Sequence, residues 1–97
     1  MTPRTLVVED AAITDVAGRA RLLRGERGDA FADAWIDDLL AWLDRHAALG
    51  AQIGTAHPTR PGFRTFGYKR QATLLVRYSE DEVRVVRVYF AGQDWLR

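Results

Sequence analysis

The chain has 97 residues, of which 47% are hydrophobic, and this combination predicts one folded domain over residues 1–97. It contains no cysteine, which excludes disulfide bonds, thiolate metal sites and cysteine nucleophiles and fits a cytoplasmic protein. No segment approaches the ~20 apolar residues that span a bilayer, and the first residues lack the apolar core of a signal peptide. We therefore expect no membrane association.

The net charge of +1 hides an uneven distribution of charge along the chain. Residues 29–44 contain five aspartates and no basic residue, whereas residues 60–77 contain five Arg or Lys and no acidic residue. Because the first range is predicted helix and the second is predicted sheet, we expect a molecule with one acidic and one basic side.

The first half of the chain has the pattern of one strand followed by two helices. Residues 5–8 form a short apolar run that predicts a strand. A helix is predicted from Asp10, a candidate N-cap, and residues 25–28, Gly-Glu-Arg-Gly, are predicted to end it. Asp29 is predicted to cap a second helix over residues 30–49. Because the link is so short, the two helices should form an antiparallel hairpin.

The second half has the pattern of an antiparallel sheet. Residues 51–62, rich in Gly, Pro and Thr, predict a loop, and three β-branched and aromatic runs at residues 64–68, 72–78 and 83–90 predict a meander. The resulting fold class is α+β, with an N-terminal strand and a helix hairpin packed on one face of the antiparallel β-meander. The residues predicted for the core are Trp35, Leu39, Leu74, Val86 and Val88.

The register of the last two strands depends on the turn between them. A tight turn would pair Tyr78 with Val83 and mix apolar and arginine side chains on each face. A three-residue turn would pair Ser79 with Val83 and set Val76 against Val86. Because a slip of one residue moves every side chain to the other face, we predict the second register, which keeps one face apolar.

In that register the opposite face of the sheet is half apolar and half arginine. Leu75 is predicted to lie beside Arg87 and Val85 beside Arg77, with Tyr89 nearby. A face of this composition is too charged for a protein core and too apolar for full exposure to solvent. It therefore predicts a surface that binds a partner molecule. The basic and aromatic residues leave RNA binding open, although a protein partner fits the apolar half better.

The sequence contains no recognisable catalytic or metal-binding constellation. His46 and His57 stand alone, and we interpret the first as a cation near the negative end of the second helix and the second as a loop residue. Zinc, phosphate-loop and nucleotide fingerprints are missing, so no cofactor and no metal site are predicted.

These elements together resemble the ParE branch of the RelE/ParE superfamily, the toxins of bacterial type II toxin–antitoxin systems. The resemblance covers most of the chain and is carried by residues 31–40 (FADAWIDDLL), residues 57–64, residues 75–78 and residues 86–94 (VRVYFAGQD). The last segment is the most specific, since the family typically ends its final strand on an Arg-Val pair and a Gly-x-Arg-Asp-like turn. Gln93 stands where an arginine is common, and Phe90 where a histidine is common.

The ParE resemblance implies a protein that inhibits DNA gyrase by binding rather than by catalysis. It also implies a hetero-oligomer with a cognate antitoxin, whose disordered segment folds as it wraps the toxin, and no direct specific binding of DNA. The predicted partner-binding residues are Leu75, Arg77, Val85, Arg87, Tyr89, Gln93, Asp94 and Trp95.

A RelE-type nuclease is the alternative interpretation. By resemblance, such members are ribosome-dependent mRNA endonucleases that use basic residues together with a late Tyr or His as acid or base. Here Arg64, Lys69, Arg77 and Arg87 would neutralise the scissile phosphate, and Tyr89, one residue from the usual position, would donate the proton. A degenerate member that only binds its antitoxin is a third interpretation.

Overall fold

The computed structural model describes residues 3–49 and 54–90, which form two helices and five strands in one sheet. The elements are β1 (Thr5–Val8), α1 (Asp10–Arg27), α2 (Asp29–Leu49), β2 (Thr55–Ala56), β3 (Phe63–Tyr68), β4 (Ala72–Tyr78) and β5 (Glu82–Phe90). The strand order is β1-β5-β4-β3-β2, with β1 parallel to β5 and the other neighbours antiparallel. The predicted α+β fold is confirmed, and β2 is an additional short strand within the predicted loop.

The helices α1 and α2 form the predicted hairpin, but their ends differ slightly from the prediction. Glu9, not Asp10, is the N-cap of α1, and its side chain makes no capping hydrogen bond. Gly28 is the C-cap of α1; its φ of 91° suits glycine, and its N–H donates to the Arg24 carbonyl oxygen at 3.0 Å. α2 begins at Asp29 itself. Neither described helix has the length and apolar character needed to cross a membrane.

The core lies between the hairpin and one face of the sheet. Leu39, Leu74 and Val88 were predicted for it and are confirmed, with exposed fractions of 1%, 0% and 2%. Trp35 is only half-buried, and it packs against Phe90 at the margin of the core. The buried cluster consists of Ala12, Leu39, Leu43, Ala47, Tyr68, Ala72, Leu74, Val76, Val83, Val85 and Val88.

The pairing of β4 with β5 departs most from the prediction. Far from the turn the predicted register holds, with Leu74 opposite Val88. An irregularity in the middle of the pair then shifts the register by one residue, so that Val76 lies opposite Val85 and not Val86. β5 therefore carries one extra residue, a β-bulge, and both of the registers that the sequence suggested occur in one strand pair.

The bulge reverses two predictions about burial. Val86, predicted for the core, is half-buried, whereas Val85 is 0% exposed. Between the bulge and the turn, Tyr78 lies opposite Val83. This is the alternative register, which we did not predict. Side chains alternate between the two faces of a strand, so one extra residue exchanges the faces of all positions on that side of it.

A pair of alanine substitutions tests the bulge. We expect Val85→Ala to lower the free energy of unfolding by about 2 kcal/mol, because two buried methyl groups leave the core. Val86→Ala should cost less than about 1 kcal/mol, because its side chain is half-exposed. Urea denaturation measures the free energy of unfolding of both variants. A larger decrease for Val86→Ala than for Val85→Ala would indicate the predicted register without a bulge.

The turn between β3 and β4 is strained. Lys69 and Arg70 have φ angles of 48° and 58°, and the Gln71 N–H donates to the Tyr68 carbonyl oxygen at 2.8 Å. Two-residue hairpin turns of this kind favour Asn-Gly, because a left-handed residue with a Cβ costs roughly 1–2 kcal/mol. The chain therefore has lysine and arginine at two positions where asparagine and glycine would be less strained.

Candidate functional site

The candidate site is the face of the sheet opposite the helix hairpin, here called the outer face. In β4 the buried core positions Leu74 and Val76 point toward the helices, so the residues that alternate with them point to the outer face. By the observed pairing, the outer face contains Phe63 and Thr65 of β3, Thr73, Leu75 and Arg77 of β4, and Arg84, Arg87 and Tyr89 of β5.

The apolar half of the predicted partner surface is not at the surface. Leu75 and Val85 are both 0% exposed, so the prediction that they are exposed is wrong. Val85 is turned toward the helices because the bulge places it opposite Val76. Leu75 remains on the outer face, in a central strand where its cross-strand neighbours are Thr65 and Arg87.

Arg87 is bound to helix α1 instead of projecting freely. Its Nε lies 2.8 Å from Asp15 Oδ2 and its Nη2 lies 2.9 Å from Asp15 Oδ1, and the Val88 N–H also donates to Oδ2 at 2.9 Å. The hydrogen bonds and charge of Asp15 raise the pKa of Arg87. Nothing in the sequence pointed to this pair, since its members lie 72 positions apart and Asp15 occurs inside an ordinary amphipathic helix.

Arg77 and Arg84 lie directly opposite each other on β4 and β5. Arg84 is compensated by Glu82, at 3.0 Å, and by Glu9, at 3.6 Å. Arg77 forms no ion pair within residues 3–49 and 54–90, and its guanidinium lies 5.6 Å from the centre of the Phe63 ring. Arg77 is therefore an exposed cation that a carboxylate or phosphate of a partner can approach.

The cations of the nuclease alternative do not converge on one point. Arg64 lies opposite Val76 and so belongs to the helix side of the sheet, where its Nη2 donates to the Gly54 carbonyl oxygen at 2.5 Å. Lys69 lies in the β3–β4 turn, at the opposite end of β4 from Arg77. Arg87 is bound to Asp15. Each of the four cations therefore lies in a different part of the structure, with different neighbours.

Tyr89 is the predicted acid of the nuclease alternative. It is half-buried opposite Thr73, and the Arg87 guanidinium lies 5.4 Å from the centre of its ring. The three other predicted partner-binding residues, Gln93, Asp94 and Trp95, lie outside the described residues.

The two histidines stabilise local backbone structure. His46 Nδ1 donates to the Trp42 carbonyl oxygen at 2.7 Å in the last turns of α2. His57 is buried, which its place in a predicted loop did not indicate, and its Nδ1 accepts the N–H groups of Thr59 and Arg60, each at 3.1 Å. The described residues contain no group of His, Asp or Glu side chains that could hold a metal ion.

The fold is similar to those of solved toxin–antitoxin structures. A chain of the chromosomal ParDE TA system from P. aeruginosa superposes with a TM-score of 0.76 at 17% sequence identity, covering 90% of this chain and 95% of that one. The chain has the ParE/RelE-like fold. A chain of the E. coli DinJ-YafQ toxin–antitoxin complex shares this fold with a TM-score of 0.54 at 13% identity, covering 91% of this chain and 92% of that one.

No protein-family model and no curated protein sequence matches the chain. The ParE/RelE-like fold nevertheless confirms the resemblance that was drawn from the sequence, at the level of the fold.

Proposed function

We propose that this protein is the toxin component of a type II toxin–antitoxin system of the ParE type. It binds and inhibits DNA gyrase, acts in the cytoplasm and is neutralised by a cognate antitoxin with which it forms a hetero-oligomer. The observation that carries the proposal is the TM-score of 0.76 with a chain of a ParDE system, against 0.54 with a chain of the DinJ-YafQ complex.

The distribution of the basic residues also favours binding over catalysis. Acid–base catalysis needs a group within hydrogen-bond reach of the proton that it moves, and phosphate chemistry needs cations aimed at one point. Arg64 lies on the helix side of the sheet, Lys69 lies at the far end of β4 from Arg77, and Arg87 is neutralised by Asp15. The arrangement supports a protein that recognises its target by surface complementarity.

The target is tested with the purified chain. We expect inhibition of DNA supercoiling by gyrase, and no cleavage of mRNA either with or without ribosomes. Supercoiling is measured on agarose gels and RNA cleavage by primer extension, with the antitoxin-bound protein as the inactive control. Ribosome-dependent cuts together with unaffected supercoiling would overturn the proposal in favour of the nuclease.

The substitution Tyr89→Phe separates the two mechanisms further. It keeps the ring that packs beside Arg87 and removes only the hydroxyl. Inhibition of gyrase by binding should stay within about twofold of the original, whereas a nuclease that uses this hydroxyl would lose about 10²–10⁴-fold in rate. RNA cleavage that disappears in this variant would identify Tyr89 as a catalytic residue and contradict our proposal.

A further inference from the structure

Two of the four large apolar side chains that are exposed in the described residues lie away from the hairpin tip, where Gly28 joins the helices. Ile13 of α1 is 52% exposed and Leu40 of α2 is 42% exposed, whereas Leu22 and Phe31 lie near the tip. A single exposed apolar residue on a helix is ordinary, but residues on two neighbouring helices form a patch when their faces coincide.

The contact between Arg24 and Asp33 shows which faces of the two helices coincide. Arg24 Nη2 lies 2.8 Å from Asp33 Oδ1, so the two residues occupy facing sides of α1 and α2. Two helical turns, about seven residues, farther from the tip, Ala17 and Leu40 occupy the same facing sides. Ile13 lies one turn beyond Ala17 on the same side of α1. The three residues therefore form one apolar surface across both helices, here called the hairpin patch.

The shape of the hairpin patch suits a helix. Ala17 is exposed, and its small side chain leaves room between Ile13 and Leu40. A third helix can pack against two antiparallel helices by placing its own apolar side chains in such a space.

The charges beside the hairpin patch are negative. Asp37 and Asp44 lie about one turn on either side of Leu40, and Asp10 lies about one turn from Ile13. All three aspartates are exposed, and none of them forms an ion pair in the part of the chain that the structure describes.

The cations of the hairpin do not neutralise these aspartates. Arg24 is shared by Asp29 and Asp33, so this group adds a further negative charge. Arg21 lines a groove that is formed by α1 and Phe90. The other charged residues of the two helices lie at the tip, on other helix faces or in contact with β5: Asp15, Arg19, Glu26, Arg27, Asp38 and Arg45. Charge complementarity at the hairpin patch therefore favours a basic partner.

Basic segments are common in proteins that act on DNA, because such proteins neutralise phosphate groups with Lys and Arg. We propose that the hairpin patch binds a basic, amphipathic helix of the target protein; the inference rests on the proposed function, in which that target is DNA gyrase. The apolar side chains of that helix contact Ile13 and Leu40, and its cations lie beside Asp37 and Asp44.

The first experiment uses the full-length protein and a synthetic helical peptide of about 18 residues with leucines on one face and lysines on the other. Calorimetry should detect binding of this lysine peptide and none of a matched peptide with glutamates in place of the lysines. In a ¹⁵N-labelled sample the amide resonances of Ala17 and Leu40 should shift, while those of Thr65 and Thr73, on the outer face of the sheet, should stay in place.

Matched variants locate the contact. Leu40→Ser should weaken binding of the lysine peptide by at least about fivefold, whereas Leu22→Ser, at a position near the tip that is 58% exposed, should leave it unchanged. Asp37→Asn should weaken binding by about threefold, and Asp38→Asn should not, because adjacent residues lie ~100° apart around a helix. All four side chains are exposed, so the melting temperatures should stay close to that of the original protein.

The supercoiling assay then connects the hairpin patch with the target. Leu40→Ser and Asp37→Asn should each raise the concentration needed for half-inhibition of gyrase by at least about threefold, and the two control variants should not. Inhibition that is unchanged in Leu40→Ser and Asp37→Asn would overturn the inference and leave the proposed function intact. Binding of the lysine peptide as expected, with no inhibition of gyrase by the original protein, would support the patch and overturn the proposed function.

The peptide measurements can also overturn the inference without gyrase. Equal binding of both peptides, tighter binding of the glutamate peptide, or equal losses in the Leu22 and Leu40 variants would each do so. A dimer of the free protein that Leu40→Ser dissociates would assign the hairpin patch to a second copy of the chain, and would overturn the inference too.

Discussion

Leu39→Ala is expected to lower the free energy of unfolding by about 2–5 kcal/mol. Leu39 lies on α2 with 1% of its surface exposed, within the same buried cluster as Leu74 and Val76 of β4. Removing its isopropyl group takes away apolar contacts and leaves a cavity that helix and sheet can close only by moving closer together. We therefore expect this substitution to destabilise the protein more than Val85→Ala, which removes fewer buried atoms.

The adjacent residue provides the control for this prediction. Leu40 is the same residue type in the same helix but is 42% exposed, so Leu40→Ala should change the free energy of unfolding by less than about 1 kcal/mol. Both values come from urea denaturation followed by circular dichroism. A loss near zero for Leu39→Ala, or equal losses for the two variants, would show that the buried face of α2 is wrongly placed.

Asp15→Ala is expected to lower the free energy of unfolding by about 2–3 kcal/mol. The side chain of Asp15 is 16% exposed and accepts three hydrogen bonds, two from Arg87 and one from the Val88 N–H. Its removal leaves a guanidinium and an edge N–H of β5 without their acceptor. The guanidinium regains water because Arg87 is 43% exposed, which keeps the loss below that of a fully buried pair.

The reciprocal substitution gives a sharper test of this contact. Arg87→Ala should cost less than Asp15→Ala, because Asp15 then still accepts the Val88 N–H. The double variant should show a coupling of about 1–2 kcal/mol between the two sites. As a control, Asp37→Ala removes an exposed aspartate of α2 and should be nearly neutral. A loss from Arg87→Ala equal to or larger than that from Asp15→Ala would contradict the role of Asp15 at the strand edge.

Short-range patterns in the sequence determined most of the fold. The apolar positions of α2 recur at helical spacing, which is why Leu39 was correctly assigned to the core. Gly28 marked the boundary between the helices, and the β-branched runs marked β3, β4 and β5. The β1 strand was likewise predicted at residues 5–8 from its composition. These features depend on neighbours a few positions apart, so one sequence contains the information needed to recognise them.

The site depended on contacts that no local pattern contains. Alternation placed Leu75 and Val85 on a common exposed surface, but the bulge turned Val85 into the core, and Leu75 proved to be buried. Similarly, Arg87 looked like an exposed cation until α1 brought Asp15 beside it. The sequence alone thus determined both helices, the strands β1, β3, β4 and β5, and the fold class. Only the tertiary structure decided which arginines are neutralised and which apolar side chains reach the surface, because both depend on packing between segments that are distant along the chain.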